Sequence, residues 1–210
     1  MSLHIKSPGE KPGVYPVAQR GKNLKYLSFT IVELGGALKD HSFDTGDEEI
    51  CLDFYTGPVR IEADTPQGRW TADVAGRPSM SEPGSMVYLP AGSRVKLSLL
   101  NGAAKVTVAG AAGKPGVKPA VIRPQEAVAK QVGKDNWTRT VFTHIADNID
   151  AAHLIAGETL NRPGGWSSCP PGTCPSAAAS RRPRTSRRPR RACSRSGGPS
   201  GATAERRSST

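Results

Sequence analysis

Glu49-Ile50-Cys51-Leu52-Asp53-Phe54-Tyr55-Thr56-Gly57-Pro58-Val59-Arg60-Ile61-Glu62-Ala63 holds two apolar runs parted by a Gly-Pro turn. Branched and aromatic side chains fill both runs, and neither shows the spacing of a helix face. Outward from this stretch the same pattern recurs, with runs at 26–34, 86–89, 94–99 and 105–109. Gly35-Gly36, Pro90-Ala91-Gly92 and Asn101-Gly102 separate them. Short strands punctuated this regularly predict an all-β unit, a sandwich or a small barrel. Asn101-Gly102 carries the signature of a two-residue type I′ turn, which predicts that 94–99 and 105–109 form a hairpin.

The chain has 210 residues and a formal net charge of +11, but the charge is unevenly spread. Residues 1–166 carry 19 basic and 17 acidic side chains, whereas residues 167–210 carry ten Arg and one Glu. Every Trp, Tyr and Phe lies at or before Trp166, so any core must be built there. The last 44 residues use only Ser, Arg, Pro, Ala, Gly, Thr, Cys and Glu. Translation of a GC-rich gene out of frame yields this alphabet; the alternative is a disordered basic tail that touches phosphates non-specifically. Specific nucleic-acid binding is not expected, because the aromatic-bearing part is nearly neutral and carries no nucleic-acid motif.

No apolar run approaches the length of a membrane span, and Met1–Lys6 lacks the apolar core of a signal peptide, so the expectation is a soluble cytoplasmic protein. Of the four cysteines, Cys51 sits in an apolar run and reads as a small buried hydrophobe of a reducing compartment. Cys169, Cys174 and Cys193 have neither zinc-knuckle spacing nor a following histidine.

Residues 111–124 are rich in Gly, Lys and Pro and read as a connector. Residues 124–130 suggest a short helical turn; strand-like stretches follow at 137–145 and 153–160. The organisation expected is an N-terminal extension (1–23), a complete barrel (24–112), a linker (113–136), the opening of a second, incomplete barrel (137–171) and the basic tail (172–210). With two strands only, that second unit should be cleaved away by protease at the connector.

Gly35, His41, Phe43, Glu48, Glu49 and Gly57 follow the outline of a first cupin motif, and Gly84, Pro90, Gly92 and Val95 that of a second. In cupins that bind metal, a His-x-His pair, a Glu and a further His converge inside the barrel, since residues i and i+2 of a strand share a face. Here Phe43 replaces the second imidazole and Val95 the last. His41 and Glu48 are thus the remnants of a degenerate first-barrel site that retains no metal, in a barrel filled with apolar side chains. The plainer reading of His41 is a surface or turn histidine beside Asp40 and Asp44.

Residues 133–139, Gly157-Glu158-Thr159 and Pro163-Gly164-Gly165-Trp166-Ser167-Ser168-Cys169-Pro170-Pro171 resemble the 5-deoxyglucuronate isomerase family of myo-inositol catabolism, which belongs with the bicupin sugar-acid isomerases near 5-keto-4-deoxyuronate isomerase. The resemblance covers about 26–171. It implies conversion of the aldose acid 5-deoxyglucuronate to the ketose 5-dehydro-2-deoxygluconate. A divalent metal in the second barrel would polarise the C1 and C2 oxygens while a base moves a proton from C2 to C1. In the family the Pro-Pro pair leads into His-x-His; here Pro171 leads into Gly172-Thr173-Cys174, and no histidine follows His153. The expectation is therefore no metal and no activity in this chain, and one frameshift near 169–172 accounts for both breaks. The catalytic residues stay unassigned. Arg139 and Arg162 are candidate partners for a substrate carboxylate, and Trp166 is a candidate wall of a sugar pocket; the plainer readings are exposed arginines and barrel packing. The competing function is a non-catalytic cupin module that binds a small ligand or self-associates as a homo-oligomer.

Overall fold

A computed structural model of the chain describes residues 9 and 11–167. Thirteen strands and two 3-10 turns make up its regular structure, with no α-helix among the described residues. Six strands form one antiparallel sheet in the order β1 (Gly13–Ala18), β2 (Leu27–Leu34), β9 (Ala104–Ala112), β4 (Glu48–Thr56), β7 (Met86–Leu89) and β10 (Ala120–Ile122). A four-stranded sheet faces it, in the order β3 (Asp40–Asp44), β8 (Arg94–Leu99), β5 (Val59–Thr65) and β6 (Gly68–Val74). Together they make the first cupin barrel, so the all-β cupin class expected from the sequence holds.

The two-residue period of a strand sorts the core. Ile50, Leu52 and Phe54 of β4 point into the barrel with Val32, Leu34, Val87, Leu89 and Val106, and meet Val59, Ile61, Val95 and Leu97 from the opposite sheet. Cys51 of β4 instead joins Met86, Tyr88, Ala111 and Ile122 in a second cluster on the outer face. That cluster is closed by Ile145 and Leu154, which belong to the second unit. Burial on both faces explains why 49–55 reads as an unbroken apolar run.

The second unit is a three-stranded antiparallel sheet, β11 (Val128–Val132), β12 (Arg139–Ile145) and β13 (Ala156–Asn161). Its strand order brings Phe142 opposite Glu158 and Thr140 opposite Leu160 on one face.

Four sequence expectations need correction. Asn101-Gly102 does not close a hairpin: β8 pairs with β3 and β5, while β9 pairs with β2 and β4 in the other sheet. Gly102 has a positive φ of 66° but Asn101 does not, and a type I′ turn needs both. The extension 1–23 contains β1, paired with β2, and the linker 113–136 contains β10, paired with β7, and the whole of β11, paired with β12. The helical turn at 124–130 shrinks to a 3-10 turn at Pro124–Glu126, closed by Glu126 accepting from the Arg123 amide at 2.7 Å, before β11 begins. Strands β3 and β6 were not expected either, because their outward residues are polar and hide the alternation. The tail at 172–210, with Cys169, Cys174 and Cys193, lies outside the described residues.

Candidate functional site

The barrel interior comes first. His41 lies on β3, half-buried, with its ring stacked on Phe43 at 5.4 Å between centroids. It is therefore a strand residue, not a turn residue, and it shares the face of Phe43, which packs on the core. Burial holds its imidazole below the ordinary histidine range. Glu48 is engaged elsewhere: Oε1 accepts from Arg20 Nε at 2.8 Å and Oε2 from Ser28 Oγ at 2.5 Å. A Cβ at Gly110 would meet Glu48 Oε2 and Ser28 Oγ, so either side chain would have to turn away to admit one. Arg20 also binds Asp47 at 2.5 Å. With Phe43 and Val95 in the other positions and apolar side chains filling the space between, these donors do not fit a divalent metal. Among the described residues no group of three His, Cys, Asp or Glu side chains is gathered to hold one.

The polar chemistry lies outside the barrel, where β4 meets the second sheet. Glu49, fully buried, accepts from the backbone amides of Ala152, His153 and Leu154 at 2.7 to 2.8 Å and from the Tyr88 hydroxyl at 2.9 Å. Burial pushes its carboxyl up, but the three amides and the phenol outweigh that and hold it below the usual carboxylate range. Burial and this hydrogen bond drive the Tyr88 phenol well above its ordinary value.

Four residues further along the same face of β4, Asp53 meets Arg77, whose Nη2 donates to Asp53 Oδ1 at 3.0 Å and also binds Glu158 of β13. Glu158 Oε2 accepts from the Gly84 amide at 2.9 Å, and the Gly84 carbonyl lies 2.9 Å from His144 Nε2. The Arg77 side chain is only 4% exposed and stacks over the Tyr55 ring at 4.5 Å. Burial raises the Asp53 carboxyl, opposed by Arg77 and reinforced by Glu158. This triad floors an open cleft of about 990 Å³ whose far wall is Thr140, Phe142, Leu160 and Arg162.

Of the three residues proposed for a sugar pocket, Arg162 lines this cleft. Arg139 and Trp166 gather instead around Trp137: Arg139 Nη1 donates to its carbonyl at 3.2 Å, and the two indoles lie 6.2 Å apart. Arg77 and Asp53 were missed by sequence reasoning. An Arg in a Gly-Arg-Pro loop looks like surface, and Asp53 looks like an interruption of a strand. The available signal was the placement of Glu49 and Asp53, both odd-numbered, inside an otherwise apolar run.

The model of the KduI/IolB family matches residues 3–179, most of the chain. The chain belongs to the KduI/IolB family. The family, which comprises isomerases, extends beyond the 26–171 stretch that carries the resemblance in the sequence. Among solved structures, an IolB-like protein from Salmonella typhimurium superposes with a TM-score of 0.55 at 20% identity, over 67% of this chain and 52% of that one. That likeness speaks for the fold, and the chain spans about half the length of that relative. The cupin domain of Schizosaccharomyces pombe Cnp3 (TM-score 0.36, 9% identity, 47% and 63% covered) and a Bacillus subtilis oxalate decarboxylase variant (0.35, 16%, 41% and 21%) also match, more distantly. Among the curated proteins none matches.

Proposed function

We propose that the chain descends from an aldose-ketose isomerase of sugar acids, acting on 5-deoxyglucuronate to give 5-dehydro-2-deoxygluconate, and that these 210 residues do not themselves catalyse the reaction. Membership of the KduI/IolB family supports the reaction class. The observation that carries the lack of activity is in the sequence: Pro171 leads into Gly172-Thr173-Cys174 where the family has the His-x-His of its second barrel, and no histidine follows His153; in the first barrel, His41 stacked on Phe43 and Glu48 held by Arg20 and Ser28 offer no substitute. No step through a metal follows from these residues. What they do is build the three-stranded sheet β11–β13 beside the first barrel; our reading is that one frameshift near 169–172 parts it from the rest of a second barrel. The free, buried Cys51 thiol agrees with a cytoplasmic setting.

The loss of metal ligands in the first barrel is also compatible with the second reading, a non-catalytic cupin module that binds a small ligand or self-associates. Two measurements separate the readings. The purified chain, incubated with manganese, zinc or iron salts and dialysed, is expected to retain no stoichiometric metal and to leave 5-deoxyglucuronate unchanged by proton NMR. The gene, retranslated in all frames across codons 167–175, is expected to restore Pro-Pro-His-x-His, and the restored protein to isomerise. Turnover by the 210-residue chain overturns the inactivity. A restored protein that binds metal but leaves the sugar acid untouched overturns the isomerase reading.

A further inference from the structure

Large apolar side chains crowd one short stretch of surface: Leu24, Tyr26 and Leu27 are 37, 68 and 46% exposed. A solvated apolar cluster marks a place where something apolar binds. This one borders a hollow of about 390 Å³ at the start of β2 and the end of β9, where Leu27 stands opposite Ala111 and the small side chains of Ala111 and Ala112 leave the space. Arg20, Lys25 and His153 complete the lining.

The rim is held in place before any ligand arrives. The Gln19 carbonyl accepts from the amides of Lys22, Asn23 and Leu24 at 3.0 to 3.3 Å, and Asn23 Oδ1 accepts from the Gln19 amide at 3.0 Å. Arg20 is clamped on Asp47 and Glu48, and His153, from the second unit, is fixed through its backbone amide by Glu49. A rim already ordered spares a ligand that entropic cost. The charge of the lining has one sign, because no carboxylate faces the hollow. Asp47 and Glu48 answer Arg20, but Lys25 has no carboxylate partner among the described residues, and its Nζ lies over the Tyr26 ring at 4.9 Å. A concave space of this volume suits a small molecule, whereas a protein partner covers a broader surface. An apolar body would meet Leu27, Ala112 and the Tyr26 ring, and an anionic end would meet Lys25. We infer that this hollow, between β2, β9 and the 146–155 loop, binds an aromatic carboxylate, its ring against Tyr26 and Leu27 and its acid group on Lys25. The site is separate from the cleft beside β4 and owes nothing to the isomerase reading, since a hydroxylated sugar acid brings no apolar body to it.

The test uses the full chain and two probes with the same ring system, sodium 2-naphthoate and 2-naphthylmethanol, titrated by calorimetry and followed by saturation-transfer NMR. Both are expected to bind saturably, with the acid about two- to fivefold tighter, the scale of one exposed ion pair. Lys25→Gln should erase that preference and leave naphthylmethanol unchanged. Tyr26→Ala should weaken both by about five- to tenfold. Lys25 and Tyr26 are exposed, so an unaltered melting temperature certifies the fold of each variant. The site is overturned by an absence of saturable binding, by equal affinity for acid and alcohol, by a preference that survives Lys25→Gln, or by binding indifferent to Tyr26→Ala. None of these outcomes touches the isomerase reading, which turnover by the restored frame decides.

Discussion

Glu49 is a buried acid whose every visible partner is a donor: three consecutive backbone amides from a segment a hundred residues away and one phenol. Such a carboxylate is stabilised in its charged form, and its replacement leaves four donors without an acceptor in a dry interface. Glu49→Ala is expected to lower unfolding free energy by roughly 3 kcal/mol, measured by urea denaturation at pH 7. The pH dependence has a definite sign. The folded carboxyl titrates below the unfolded one, so the stabilisation is complete above the unfolded value of about 4.3 and is lost as pH falls below it through the depressed folded value. Wild-type stability should therefore drop between pH 5 and about pH 3 more steeply than that of Glu49→Gln, whose amide does not titrate. Parallel curves for the two proteins would remove Glu49 as the source.

At the scale of elements, the turns decide what the strands pair with. Gly57, between β4 and β5, has φ +71°, and a Cβ there would run into the backbone of Ala103 and Ala104. The β4–β5 connection thus passes over the start of β9 at contact distance, carrying the chain from one sheet to the other. Gly57→Ala is expected to cost at least about 1 kcal/mol from the left-handed backbone alone, and more from the collision, read as a fall in melting temperature. Strands with an inward apolar face and a turn signal on either side, such as Met86–Leu89 and Arg94–Leu99, were legible in the sequence to the residue. Strands that lie at edges or face water were not: Val128–Val132 is exposed along most of its length, so its residues carry no core pattern. The same limit applied to the cleft. Arg162, singled out in the sequence, lines the cleft, whereas Arg77 joins it only through Asp53 and Glu158, 24 positions before it and 81 after it. Local reading has no access to pairings at that separation.

At the scale of the whole molecule, the two sheets are joined by the connector in a different way from that expected of a loose linker. Val117 and Ile122 within it are buried, β10 is hydrogen-bonded to β7, and Lys114 reaches Asp150 at 2.9 Å. On either side of it, Glu49 of the first barrel takes the amides of the second unit, while Glu158 of the second unit takes Arg77 and the Gly84 amide of the first. Each unit therefore supplies a carboxylate that the other satisfies, and parting them breaks both sets of charge-assisted hydrogen bonds at once. The stretch between β9 and β10 is exposed at Lys114, Pro115, Gly116 and Lys118, so it can be nicked in the folded chain, but release of the first barrel must part this interface and should require global unfolding. Limited subtilisin digestion of the folded chain, followed by size-exclusion chromatography and mass spectrometry, is expected to release no separate first barrel ending within 113–119. In Glu49→Ala, with one of the two clasps removed, that release should appear early and at a rate that rises with urea. A wild-type first barrel released with its end within 113–119 would restore the picture of an independent first barrel carrying a detachable sheet.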